Sequence, residues 1–361
     1  MTQAPDLLYS EAEDDLRAAV RSLLADRADA ATLLGRVETP SPYLPGLWEA
    51  LGGGIGAAGL LVPEKLGGQG ASHREAAVVL EELGRAVTPV PYLTGAVVAT
   101  ETLLALGADD GPVAGLLTAL ASGERVAVLA VPLSTAPDAA PRTDGLVPAV
   151  ADAAAADVFL VPRADGLYAV EAADAVVTAQ VPLDLTRPLA AVDASGATGT
   201  RLADAEAGRA AVRRGLLAGA GLLASEQLGI AEWCLEETVR HTRQRHQFNR
   251  PVGSFQALKH RMAQLWLEVV GARAAARAAA DALATGAADT ALTVAVAQAY
   301  CSKVAVHAAE ECVQLHGGIG MTWEHPAHLA LKRAKSAQIA FGSAGRHQDT
   351  VAALADLPAP R

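Results

Sequence analysis

Apolar positions recur at helical spacing from about Ser10 to Ser122. Leu16, Val20, Leu23 and Leu24 fall on one helix face, and Ser10 followed by Glu13 forms a capping box ahead of them. The segment HREAAVVLEELGRA, His73 to Ala86, predicts a further amphipathic helix that closes before Pro89 and Pro91. Between about Arg125 and Leu202 the period shortens. Runs such as VAVLAV, DVFLVP and AAVDAS are separated by Pro, Gly and Asp, and GLYAVEAA alternates weakly, as in strands joined by turns. From about Ala205 the helical period returns, over Ala211–Arg243, Phe255–Thr285 and Ala288–Leu315. In the second of these stretches Leu258, Met262, Leu265, Trp266 and Val269 form one stripe, and the Ala-rich run 274–284 suits a helix packed closely on its neighbours. The pattern predicts an α+β chain: a helical domain over 1–122, a small antiparallel β domain over 123–204 and a helical domain over 205–361.

A length of 361 residues suffices for two or three domains. The net charge of −11 offers no basic footprint, so nucleic acid and anionic membrane surfaces are excluded as partners. Cys234, Cys301 and Cys312 form no C-x-x-C pair and leave one over, which argues against a disulfide framework or a zinc site and for a reducing compartment. Cys301 and Cys312 read as small buried hydrophobes. The first twenty residues carry acids where a secretion signal needs basic ones, and no apolar run reaches the roughly 20 residues that span a bilayer. The expectation is a soluble cytoplasmic protein.

Gly54, Gly56 and Gly59 match the G-x-G-x-x-G spacing of dinucleotide-binding folds. That motif needs a strand before the glycines and a helix opening at them, so that phosphate meets bare backbone amides. Here PGLWEALG before them is helical in pattern and Pro63 interrupts the segment after them, so a glycine-rich turn is expected instead.

Two later stretches carry more chemistry. RQRHQFNRPVGSFQALKHRMAQL, Arg243 to Leu265, ends one helix on basic residues, turns through Asn249, Pro251 and Gly253, and starts another near Phe255. Basic residues offset the negative end of a helix dipole. The accompanying Gln247, Phe248 and Gln256 suggest more: an arginine fork beside an aromatic ring suits a pyrophosphate joined to a ring system. VQLHGGIGMTWEHP, Val313 to Pro326, ends a helix at His316 with Gly317 and Gly318 as its cap, and Glu324 belongs to the turn after the glycines. Gly318 and Gly320 would let a ligand lie against backbone.

R-x-Q-F-x-x-P-x-x-x-F-Q, with Q-L-H-G-G-x-G about sixty residues later, resembles the acyl-CoA dehydrogenase family. The matching residues are Arg245, Gln247, Phe248, Pro251, Phe255 and Gln256, then Gln314, Leu315, His316, Gly317, Gly318 and Gly320. GLLVPEKLGGQG (Gly59–Gly70) and LEELGRA (Leu80–Ala86) are similar to that family's N-terminal helical domain. The resemblance implies a C-terminal four-helix bundle and FAD bound at a subunit interface. It implies that Arg245, Gln247 and Phe248 meet the pyrophosphate and adenosine portion of a neighbour's FAD, with Gln256, Gln314, Leu315, Gly317 and Gly318 in the same cofactor site.

The family reaction removes a proton α to the thioester and passes a hydride from the β carbon to the flavin, which requires a carboxylate base. Phe341 stands at the usual Glu position, and Gly219 or Ala220 stands at the alternative one. Glu226, two helical turns further on, is the remaining candidate base. VPLSTAPDAAP occupies the region where an E-P-x-A-G-S-type flavin cradle is expected. The resemblance therefore points to the Glu-less subunit of a heterotetramer with two copies of each of two chains, acting on bulky acyl-CoA thioesters and passing electrons to an electron-transfer flavoprotein. The other readings are a homo-oligomeric dehydrogenase with Glu226 as base, and a non-catalytic acyl-CoA or flavin-binding protein.

Overall fold

The computed structural model describes residues 6–39, 41–107, 111–139, 141, 143 and 145–357. Helix α1 (Glu11–Arg27) opens as its sequence dictates. The Glu13 amide donates to Ser10 Oγ at 3.2 Å, and the Ser10 amide donates to the Glu13 carboxylate at 2.6 Å. That reciprocal pair satisfies two amides left free by the helix start. α2 (Ala30–Arg36) comes next, and α3 (His73–Ala86) spans the expected residues, with a second capping box between Ser72 and Glu75. Between them the glycine motif forms a π-helical turn over Glu49–Gly54 and a short 3-10 turn over Ala57–Gly59, with Gly56 at φ +80°. A Cβ at Gly59 would lie 2.8 Å from the Ala121 carbonyl oxygen, so this glycine serves close packing. α4 (Thr100–Leu104) and α5 (Gly111–Ala121) complete the first helical region.

The strands of the middle region, among the described residues, are β1 (Ala127–Leu129), β2 (Leu146–Ala151), β3 (Val158–Arg163), β4 (Gly166–Glu171), β5 (Val176–Gln180), β6 (Leu189–Asp193) and β7 (Thr200–Asp204). They build one sheet in the order β1-β3-β4-β7 and another in the order β2-β6-β5. The pairing is antiparallel except between β1 and β3, which run parallel because the chain crosses to β2 in the other sheet before returning. Val128, Val150, Phe159, Val170 and Val192 form a core of their own between the sheets.

The C-terminal region is built on α6 (Ala205–Gln244), which at about 1.5 Å per residue is about 60 Å long. A short hairpin of β8 (His246–Gln247) and β9 (Arg250–Pro251) leads to α7 (Gln256–Thr285), α8 (Thr290–His316), α9 (Ala327–Ala337) and α10 (Ala344–Leu354). The small side chains let α6 touch α3 backbone to backbone: a Cβ at Gly84 would lie 2.1 Å from the Glu226 carbonyl oxygen, and one at Gly229 2.0 Å from that of Glu81. Ala276, Ala279 and Ala280 of the Ala-rich run are buried against the same bundle. No described helix is long and apolar enough to cross a membrane.

Candidate functional site

Where α6 stops, Arg245 turns extended (φ −76°, ψ 123°) with its amide donating to the His241 carbonyl at 2.9 Å. The hairpin tip places Phe248 and Asn249 in the left-handed region, at φ +51° and +60°. Asn tolerates that region and Phe does not do so readily. The Phe248 ring is 84% exposed and meets Phe255 edge-on at 6.0 Å. Across from this turn α8 ends at His316, and Gly317 adopts φ +66°, ψ −138°, a conformation reserved for glycine. The two turns face each other over an open cleft of about 570 Å³, lined by Arg245, Gln247, Gln314, Leu315, Gly317 and Gly318. His241, Val252, Leu258, Arg261, His316 and Ile319 complete the lining. Phe248 and Gln256 do not line it: Phe248 caps the hairpin tip, and Gln256 is the exposed first residue of α7.

Among the described residues, none hydrogen-bonds or ion-pairs with the Arg245 guanidinium or with the side-chain amides of Gln247 and Gln314. A Cβ at Gly318 would meet nothing within 4 Å, so that backbone is open toward the cleft side. Gly320 differs: a Cβ there would lie 2.5 Å from the Val313 carbonyl oxygen, so it serves the packing of the helix end.

The opposite situation holds around Phe341. This residue sits at φ +53° and is 4% exposed; its amide donates to the Leu133 carbonyl at 2.8 Å, and its carbonyl accepts from His347 Nε2 at 3.1 Å. Its ring lies against Gly219. A Cβ on Gly219 would stand 3.0 Å from the ring Cζ and 2.6 Å from Val98 Cγ2. The two positions at which a base is expected are thus neighbours in space, and a phenyl ring fills the room between them. The residual cavity, lined by Thr94, Val98, Val131, Leu133 and Leu216, measures about 20 Å³, enough for about one water. The loop in the cradle region begins at Val131, and its Ala140 lies outside the described residues. Its groove of about 520 Å³ is lined by Pro132, Ala136, Pro141 and Pro148 together with Ser134, Thr135, Thr143 and Arg346. The Thr135 and Thr143 hydroxyls there donate to the Pro132 and Pro162 carbonyls, at 2.7 and 3.1 Å.

Glu226 is 2% exposed, and both its oxygens are engaged: Oε2 accepts from Arg187 Nη2 at 2.5 Å and Oε1 from Arg333 Nη1 at 3.3 Å. Arg333 in turn donates to Asp184 at 2.5 Å and to the Thr186 carbonyl and hydroxyl at 2.8 and 2.7 Å. Burial opposes a charge on Arg333, but Asp184 and Glu226 outweigh it and hold the guanidinium pKa above its ordinary value. This cluster ties α6 and α9 to the loop between β5 and β6. Cys234, Cys301 and Cys312 are free thiols and all buried.

Two helical regions around a small β region, with an arginine–glycine cleft at one end of a long helix, define the acyl-CoA dehydrogenase class of fold. A family model described as acyl-CoA dehydrogenase, N-terminal domain, matches residues 10–124, and one described as acyl-CoA dehydrogenase, C-terminal domain, matches residues 206–355. The chain belongs to the acyl-CoA dehydrogenase family, FAD-dependent oxidoreductases of acyl-CoA thioesters. It is 37% identical to acyl-CoA dehydrogenase IpdE2 of Mycolicibacterium smegmatis, over 91% of this chain and 94% of that protein. It is 36% identical to acyl-CoA dehydrogenase FadE34 of Mycobacterium tuberculosis, over 89% of this chain and 43% of that longer protein. Among solved structures, a chain of the ChsE4-ChsE5 complex from Mycobacterium tuberculosis superimposes with a TM-score of 0.84 at 26% identity, covering 98% of this chain and 100% of that one. A chain of the Tcur3481-Tcur3483 steroid acyl-CoA dehydrogenase (G363A variant) does so with a TM-score of 0.83 at 26% identity, covering 96% and 98%.

Proposed function

We propose that this chain is the base-less subunit of a hetero-oligomeric acyl-CoA dehydrogenase, and that its Arg245 and Gly317 turns close the FAD site of a partner subunit that brings the carboxylate. The observation that carries this reading is the contrast between the filled pocket at Phe341 and the open cleft with unpaired polar groups at Arg245. The cleft residues suit the phosphate and adenosine end of FAD. A guanidinium with no partner among the described residues can fork onto a pyrophosphate, the Gln247 and Gln314 amides offer both donors and acceptors, and Gly318 leaves room beside the backbone. When bound, FAD supplies the hydride acceptor for oxidation of the α–β carbon bond. This chain's residues bind and orient the cofactor and take no proton. Phe341 has no basic atom, and Glu226 has both oxygens committed to buried arginines.

The likeness to one chain of the ChsE4-ChsE5 complex, and to a chain of a steroid acyl-CoA dehydrogenase, supports a second, different subunit and a bulky acyl-CoA such as a steroid side-chain thioester; two copies of each chain is the assembly the family resemblance implies. An electron-transfer flavoprotein is the acceptor the family implies. The test is to purify the chain alone and after co-expression with each acyl-CoA dehydrogenase encoded beside it, and to record visible spectra and dye-coupled turnover. The expected result is a colourless chain that becomes yellow and active with one partner. A yellow, active chain on its own overturns the proposal.

A further inference from the structure

Three histidines and a glutamate meet beneath the Gly317 turn. The His316 side chain is shut off from solvent. Its Nδ1 lies 2.6 Å from the Cys312 carbonyl oxygen, which can only accept, so Nδ1 carries a hydrogen. Its Nε2 is buried with no hydrogen-bond partner among the described residues and stands 3.6 Å from Glu237 Oε1. His325, with its ring 4.3 Å from that of His316, brings Nε2 to 3.7 Å from the same oxygen. The His241 ring also lies 4.3 Å from that of His316. Arg240, largely in solvent, donates to both oxygens of Glu237.

Glu237, His316 and His325 bring potential ligand atoms within 4.8 Å of one another, which invites a metal reading. The tautomers argue against it. His325 Nδ1 accepts the Ala327 amide at 3.2 Å, so the neutral ring carries its hydrogen on Nε2, the atom a cation would need bare. Arg240 already occupies the carboxylate. A single additional proton on His316 Nε2 satisfies every group: both imidazoles then present N–H to Glu237, and no lone pair faces a carboxylate.

We infer that Glu237 is a positioning residue for the flavin turn: by holding a protonated His316 it anchors the end of α8 against α6, and so places Gln314, Gly317 and Gly318 opposite Arg245. This inference rests on the flavin reading above. The titratable groups around His316 are Glu237 and His241 from α6, Cys312 from α8 and His325 ahead of α9, with Arg240 bound to Glu237. Burial works against the charge on His316, but Cys312 and Glu237 outweigh it and the pKa is raised. Burial lowers the pKa of His241 and of His325, and the charge on His316 lowers both further. A pKa raised by folding contributes stability that is complete below the ordinary imidazole pKa and lost as pH rises through the folded one. The turn therefore loosens toward alkaline pH.

The experiment measures FAD affinity of the co-purified complex by flavin fluorescence between pH 6 and 9, for wild type, Glu237→Asp, Glu237→Gln and His316→Gln, with folding checked by circular dichroism. Wild type should weaken as pH rises, by about tenfold, the size of one charge-assisted hydrogen bond. Glu237→Gln should bind weakly at every pH with a flat profile, and Glu237→Asp should restore part of the slope. If Glu237→Gln does not fold, His316→Gln, which keeps a donor for Cys312 but has no second site for a proton, should show the same flat profile. Equal affinity and an equal pH profile in wild type and the glutamine variants overturn the inference and leave the flavin reading standing. A wild-type complex without flavin at any pH overturns the flavin reading itself. One zinc ion bound per chain and lost in Glu237→Gln overturns the proton assignment.

Discussion

Phe341 and Arg245 belong to the same C-terminal region, yet their surroundings differ in how their polar groups are used. Around Phe341 the backbone amide and carbonyl are bonded to Leu133 and His347, the nearby Glu226 cluster is saturated by two arginines, and the apolar cavity has closed to about 20 Å³. Around Arg245 the guanidinium and two glutamine amides have no partner among the described residues, and a cleft of about 570 Å³ stays open. Buried polar groups without partners cost free energy, so a region that folds without a ligand satisfies itself internally. Groups left unpaired in solvent cost little and remain available to a second molecule. On the proposed reading, one half of a shared active site has closed over while the half that serves a neighbour keeps its chemistry.

The largest effect should come from the residues that lock the closed region. Arg333→Met leaves Asp184 and Glu226 buried with less counter-charge, and should cost about 3–5 kcal/mol in urea unfolding. An unchanged midpoint would mean the cluster is not buried in solution. Next, Phe341→Glu puts a carboxylate into the apolar pocket. It should destabilise the chain by about 3 kcal/mol, and dye-coupled assays should find no acyl-CoA dehydrogenase activity in the isolated chain. Turnover by that single variant would break the contrast, because the pocket would then need only its base.

On the open side, Arg245→Ala should leave the unfolding midpoint of the isolated chain unchanged while weakening FAD binding by the complex by about 1.5–3 kcal/mol, the worth of hydrogen bonds to a charged group. Isothermal titration of the complex stripped of flavin would measure it. The smallest effect separates two glycines. Gly318→Ala should change stability by less than about 0.5 kcal/mol, because the added carbon meets nothing. Gly320→Ala should cost about 1–3 kcal/mol, because its carbon would press on the Val313 carbonyl. Equal losses in both would mean that the Gly318 backbone is not open.

Much of the fold was legible along the chain. The capping boxes at Ser10 and Ser72, the bounds of α3, the strands in DVFLVP and GLYAVEAA and the glycine cap after His316 all depend on residues a few positions apart. The parallel pairing of β1 with β3 was not legible, since it depends on where an intervening strand packs. Nor was the meeting of His241, His316 and His325, which come from the end of α6, the end of α8 and the turn before α9.

Residue type and short-range period were enough to set the order of helical and strand regions and the two turns with their arginine and glycines, while the family resemblance marked Phe341 as standing where a base is expected. Long-range packing was needed for the rest: that Phe341 fills the space beside Gly219, that Glu226 is held by Arg187 and Arg333, and that Glu237 gathers His316 and His325 under the Gly317 turn. Whether a polar side chain is spent or free depends on which distant segment packs against it, and that is settled by how the helix faces and sheets bury one another.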